Sequence, residues 1–113
     1  MHEYSLVQAL LDRVAVEARA RESAIVRKLR LRIGESSGVE IELFRAAYDV
    51  IRTGTPCEQA TLEIVSSPVV WQCAACGSPV DPGRALWCAA CRRPAELVSG
   101  DEIVLEQVEL EVA

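Results

Sequence analysis

From about residue 4 to residue 21, Leu6, Leu10, Leu11, Val14 and Ala18 recur at helical spacing with charged residues between them. That period lines the apolar side chains along one stripe and predicts an amphipathic helix. Ser5 and Gln8 have the spacing of a capping box; the alternative is a start one turn earlier. From Val26 to Ile33 the period changes. Leu29, Leu31 and Ile33 alternate with Lys28, Arg30 and Arg32, which is a strand with one buried face, and Gly34 ends it. Ser37 followed by Glu40 signals the cap of a second helix. Its stripe is Leu43, Phe44, Ala47, Tyr48 and Ile51, and Gly54, Thr55 and Pro56 close it. Thr61–Val65 reads as a second strand with Leu62 and Ile64 facing one way. After Gly100, Val108, Leu110 and Val112 alternate with Gln107, Glu109 and Glu111, the pattern of a third strand.

The stretch from about 70 to 98 differs in kind, being rich in Cys, Gly and Pro. The expected fold class is therefore α+β: a small three-stranded sheet with two helices, interrupted before its last strand by a four-cysteine zinc-ribbon module. Residues 1–69 and 100–113 form the α+β domain and residues 70–99 the ribbon. The 113 residues suit one domain with a small appendage. Half of them are hydrophobic but only 4% are aromatic, so the core is built on Leu, Val, Ile and Ala. A core this small often needs a staple, and a metal ion is a common one.

The formal net charge of -5 argues against nucleic acid as the main partner, because phosphate binding runs on a basic surface. Glu106, Glu109 and Glu111 alternate with apolar residues and read as the wet face of a strand, not as an acidic tail. No apolar run approaches the roughly 18 residues of a membrane span. Glu3 and Asp12 interrupt any signal-peptide pattern, so a cytoplasmic protein is expected. In that reducing compartment the five cysteines are metal ligands sooner than disulfides.

Cys73-Ala74-Ala75-Cys76 and Cys88-Ala89-Ala90-Cys91 are two knuckles separated by the eleven residues 77–87. Two residues between thiolates let one tight turn aim both sulfurs at one ion, and two such turns complete a tetrahedron at about 2.3 Å per Zn–S bond. Gly77 suits the positive-φ position such a turn needs. The competing readings are an iron–sulfur centre and a redox dithiol, and the latter would leave the second pair unexplained. With four protein ligands no position stays open for substrate, so the zinc is structural. Cys57 lies outside the set.

The single histidine is His2. A bulky second residue blocks removal of the initiator methionine, so Met1 is expected to keep a free amine. That amine, the His2 amide nitrogen and the His2 imidazole can close fused five- and six-membered chelate rings. Glu3 can add a fourth donor by its amide or its carboxylate. Four donors in one plane suit Ni(II) or Cu(II) and not the tetrahedral preference of Zn(II).

Taken together, these features resemble one family. Met1-His2-Glu3 opening a helix, the strand Leu29-Arg30-Leu31-Arg32-Ile33-Gly34-Glu35 running into Ser37-Gly38-Val39-Glu40, the double Cys-x-x-Cys and Gly100-Asp101-Glu102 before the last strand are similar to the HypA/HybF hydrogenase maturation proteins. The resemblance spans nearly the whole chain. It implies a nickel metallochaperone with Ni(II) on Met1, His2 and Glu3 and structural Zn(II) on Cys73, Cys76, Cys88 and Cys91. It implies an accessory GTPase and the [NiFe]-hydrogenase large subunit as partners, and in some organisms urease as a second recipient. Position 40 is acidic in some relatives; Glu40 stays off the ligand set because helix capping explains it equally well. Open strand edges leave room for a homodimer. The rival readings are weaker. Arg84, Arg92, Arg93 and Trp87 could make a nucleic-acid surface, but the acidic balance opposes it. An enzyme lacks its usual general base when the one histidine is terminal, and no Gly-rich phosphate loop is present.

Overall fold

The computed structural model describes residues 2–22, 25–81, 83 and 86–111. Two helices and seven strands follow in the order α1 (His2–Ala20), β1 (Ile25–Gly34), α2 (Ile41–Ile51), β2 (Thr61–Ser67), β3 (Val70–Cys73), β4 (Pro79–Val80), β5 (Trp87–Cys88), β6 (Arg93–Ser99) and β7 (Ile103–Glu111). They make two sheets, β2-β1-β7 and β4-β3-β6-β5.

Strand β1 is the middle of the first sheet. It runs parallel to β2, with Leu29 opposite Leu62 and Leu31 opposite Ile64. It runs antiparallel to β7, with Leu29 opposite Val108 and Leu31 opposite Leu105. A parallel neighbour needs a crossover, and α2 supplies it. Because side chains alternate along a strand, Leu29, Leu31 and Ile33 all fall on one face, and both helices pack there. Val7, Leu10, Leu11, Val14 and Ala18 of α1 and Phe44, Ala47 and Tyr48 of α2 complete the core. The expected α+β fold class is the observed one.

The other face of this sheet carries β1's cations, and the glutamates of its neighbours meet them. Lys28 Nζ lies 2.9 Å from Glu63, and Arg30 reaches both Glu63 at 3.5 Å and Glu106 at 3.3 Å. Arg32 pairs with Glu106 and Arg27 with Glu111. Glu106 and Glu111 of β7 are thus one side of a charge ladder. Each pair is exposed and contributes little alone, but the opposite signs fix the register.

Several local expectations change. Helix α1 is already formed at His2, so the earlier start is the correct one. The Ser37–Glu40 capping reading is only half right. Glu40 is the N-cap of α2, but no side chain of its own caps the helix. The Ser37 hydroxyl instead accepts from Val39 N–H at 3.3 Å within the preceding turn. Strand β7 starts at Ile103, well before the alternation that signalled it, while Val112 lies outside the described residues. Four strands build the sheet of the ribbon.

The two sheets are joined by a knot of close backbone contacts at the end of β1. Gly34 N–H donates to Glu102 O at 2.7 Å, Glu35 N–H to Ser67 O at 2.9 Å and Ser36 N–H to Gly100 O at 2.6 Å. Glu35 and Glu102 tie the crossing chains with side chains: Glu35 accepts from Val69 N–H at 2.9 Å, and Glu102 accepts from the Ser67 hydroxyl and from Gly100 N–H. The Ser67 hydroxyl, then the amides of Glu102 itself and of Gly100, hold the Glu102 carboxyl down to about 2. Its depressed value means the tie is complete above the ordinary carboxylate range and is lost only as pH falls toward about 2. The radius of gyration is 18.1 Å, against about 13 Å for a compact chain of this length. The two sheets are therefore set end to end, and the knot is what holds them so.

Only glycine fits at this crossing. A Cβ on Gly34 would lie 2.2 Å from the Gly100 backbone, and one on Gly100, at φ 105°, would lie 2.6 Å from Val69 Cα. Backbone cannot step aside as a side-chain tip can. We expect Gly34→Ala to cost about 2–3 kcal/mol, lowering Tm by roughly 10 °C or more. Gly38→Ala, which meets no atom within 4 Å but sits at φ 82°, should cost less. Calorimetric melting of the two variants checks the order.

Candidate metal centres

The first knuckle lies between β3 and β4, and the second follows β5. Each turns the chain so tightly that the residue after its second cysteine donates back to the first. Gly77 N–H bonds Cys73 O at 2.9 Å, and Arg92 N–H bonds Cys88 O at 2.8 Å. Both residues need positive φ, 73° at Gly77 and 52° at Arg92. Gly77 does this freely, as its sequence position implied; Arg92 does it at a steric cost, which nothing in its identity announced. Pairing of β3 and β5 on either side of β6 then brings the knuckles together.

The result is a cage. The sulfurs of Cys73, Cys76, Cys88 and Cys91 all lie within 4.8 Å of one another. Cys76 Sγ and Cys88 Sγ are 3.9 Å apart, close to the edge of about 3.8 Å that a tetrahedron with 2.3 Å metal–sulfur bonds requires. Cys73 and Cys88 are buried, Cys91 is half-buried and Cys76 is exposed. Ser78, by its hydroxyl at 3.2 Å and its amide, draws Cys76 down to about 6, while the neighbouring Cys76 and Cys73 sulfurs push Cys91 up to about 12. Four thiols this close do not ionise together unaided, and a cation at their centre removes that penalty. Ser78 is a supporting residue that the cysteine spacing did not reveal.

Cys57 does not join them. It is 1% exposed in the core under α2, and burial raises its thiol to about 11. Its surroundings are the hydrophobic cluster and Tyr48, whose hydroxyl donates to Ala60 O at 2.8 Å.

The other expected site lies at the head of α1. Met1 is outside the described residues. The His2 side chain is 58% exposed, with Nδ1 3.7 Å from Glu3 Oε2. Glu3 turns inward and is 16% exposed. Its carboxylate accepts from Glu40 N–H at 3.2 Å. That bond, then one to its own amide, holds its carboxyl below the ordinary range. Glu40 thus comes beside the expected site through its backbone amide. Both His2 and Glu3 sit in the first turn, where helix amides have no intrahelical acceptor.

Among the basic residues of the ribbon, Arg92 and Arg93 are exposed and Arg84 lies outside the described residues. Trp87 is 50% exposed. No helix among the described residues is long and apolar enough to cross a membrane.

The family model described as hydrogenase/urease nickel incorporation, metallochaperone, HypA matches residues 1–110. A hydrogenase maturation factor HypA from Wolinella succinogenes is 35% identical, covering 98% of this chain and 96% of that protein. The solution structure of a HypA protein superposes with a TM-score of 0.81 at 26% identity, covering 100% of this chain and 98% of that one. The solution structure of the nickel metallochaperone HypA from Helicobacter pylori gives a TM-score of 0.73 at 25% identity, covering 98% of both chains.

Two outcomes follow from the cage and the core. With metal stripped, a disulfide reagent at pH 8 should label the exposed Cys76 quickly and Cys57 only after unfolding. Equal reactivity of the two would refute the burial of Cys57. Arg92→Gly should relieve the strained turn and raise stability by about 0.5–1 kcal/mol. Slower loss of metal to a chelator would register the gain.

Proposed function

The chain belongs to the HypA family of nickel-incorporation metallochaperones, and from that premise we propose that it carries Ni(II) on Met1, His2 and Glu3 for hydrogenase maturation. The observation that supports this most is the exposed His2 imidazole on the first turn of α1. Square-planar Ni(II) takes nitrogen donors from an amine, from amides that have lost their protons and from an imidazole. In the body of a helix each such amide would give up its intrahelical hydrogen bond, but in the first turn there is no such bond to lose. An exposed terminal site also needs few tertiary contacts to break when the metal is passed on.

The second metal in this reading is Zn(II), held by Cys73, Cys76, Cys88 and Cys91. Soft thiolates in a closed tetrahedron suit zinc, and a filled shell leaves it structural. It would supply folding energy to a ribbon whose strands are too short to stand alone. Nickel and zinc are thus sorted by donor type and geometry. In this proposal residues 1–69 and 100–113 carry the nickel and residues 70–99 the zinc. The recipients are the [NiFe]-hydrogenase large subunit and, by the same chemistry, urease. In this proposal the chain works with an accessory GTPase, as the family resemblance implies. The setting is the cytoplasm, and the open edges of β2 and β7 are where a homodimer would form.

Calorimetric titration of zinc-loaded protein with Ni(II) is the test. One-to-one binding is expected, lost by at least tenfold in both His2→Ala and a version extended at its N-terminus. Unchanged affinity in both would move nickel away from the terminus. Because the donors must shed protons, wild-type affinity should fall as pH falls.

A further inference from the structure

Helix α2 begins without a cap of its own making. Its N-cap Glu40 has extended geometry, φ -86° and ψ 113°, and offers no side-chain bond to the helix. In a capping box the third helical residue reaches back to the N-cap amide. That position is Leu43, which has no acceptor to offer. Val39 and Phe44 occupy the staple positions on either side of the N-cap and both join the core, so the apolar half of the motif is intact. The missing polar half comes from another helix: Glu3 Oε2 of α1 accepts Glu40 N–H at 3.2 Å. A carboxylate there also faces the positive end of the α2 dipole.

Glu3 and His2 are neighbours on one turn, with His2 Nδ1 3.7 Å from Glu3 Oε2, but they differ in exposure. The carboxylate is turned in toward α2 while the imidazole stands mostly in solvent. A first helical turn normally frays, and a ligand that binds it must order it. The Glu3–Glu40 bond supplies that order beforehand.

We propose that Glu3 is a positioning residue whose carboxylate clips the metal-carrying turn of α1 to the head of α2, coupling Ni(II) occupancy to the order of α2's first turn. This rests on the nickel reading of the N-terminus. Coupling of this kind is reciprocal: whatever the clip adds to nickel affinity, nickel adds to the clip.

Three proteins test it: wild type, Glu3→Ala and Glu3→Gln, each zinc-loaded. Glutamine keeps an oxygen that can accept Glu40 N–H but removes the anionic carboxylate. The readouts are Ni(II) affinity by calorimetry, the visible absorption band of the nickel complex, and hydrogen exchange at the Glu40 amide with and without Ni(II). Glu3→Ala should bind Ni(II) about three- to tenfold more weakly with the wild-type band, and its Glu40 amide should exchange about tenfold faster. Glu3→Gln should restore most of both, and Ni(II) should slow Glu40 exchange in wild type. A shifted band with lost affinity in Glu3→Gln would make the carboxylate a nickel donor and overturn the proposal. Unchanged Glu40 exchange in metal-free Glu3→Ala would overturn the clip whatever nickel does. A wild type that binds no Ni(II) would instead sink the nickel reading and the coupling with it, leaving the clip to stand or fall on exchange alone.

Discussion

Strand β1 is the constraint on which the rest of the molecule depends. It is the only strand of its sheet with two neighbours, one parallel and one antiparallel. Its buried face receives both helices, its outer face holds the charge ladder, and its last residue, Gly34, meets the crossing chains that lead to the ribbon. A shift of one residue along β1 would turn Leu29, Leu31 and Ile33 to water and bury arginines. The same shift would separate Gly34 from Gly100. Core, ion pairs and junction therefore reinforce one register, which is the mutual consistency that makes a short sequence specify one structure.

The metal cage solves a different problem. Strands β4 and β5 have two residues each, and no residue of the ribbon sheet besides Cys73 and Cys88 is fully buried. Such a sheet cannot be held by apolar burial. Four convergent sulfurs replace the missing core, and the turn strain at Arg92 is tolerated because the cage over-determines it. Rigidity in the ribbon is thus a matter of ligand chemistry, while in the β2-β1-β7 sheet it is a matter of packing.

Both architectures were legible in the sequence for physical reasons. The alternation in Leu29–Ile33 and the stripes of α1 and α2 survive because burial repeats with the period of the backbone. The cage was legible because a metal demands fixed donors at short spacing. What was hidden shares one cause, which is that backbone groups carry no residue identity. The capping partner of Glu40 is the Glu3 carboxylate, 37 residues away, acting on an amide that any residue would present. The positive φ at Arg92 is visible only once the second knuckle is seen to copy the first, whose Gly77 did announce itself. The Ser37–Glu40 pair misled for the same reason. Its spacing is that of a capping box, yet Ser37 spends its oxygen on the amide of Val39.

In the proposed reading, the separation of the two metal-binding regions follows from what each must do. A structural ion belongs where every ligand is fixed by other bonds, and the knuckles meet that condition. A transferable ion needs the reverse: donors whose release breaks little else. The interior of this protein offers one further soft donor, Cys57, but burial keeps it protonated to about 11 and out of reach of any ion. The first turn of α1 is the place where the geometry of the helix gives amides no intrahelical acceptor, and where the one histidine stands in solvent. A single carboxylate bond to α2 is enough to keep that turn ordered without enclosing it. The fold thus provides, with its cheapest irregularity, a helix end, the combination of order and exposure that the proposed carrier site requires.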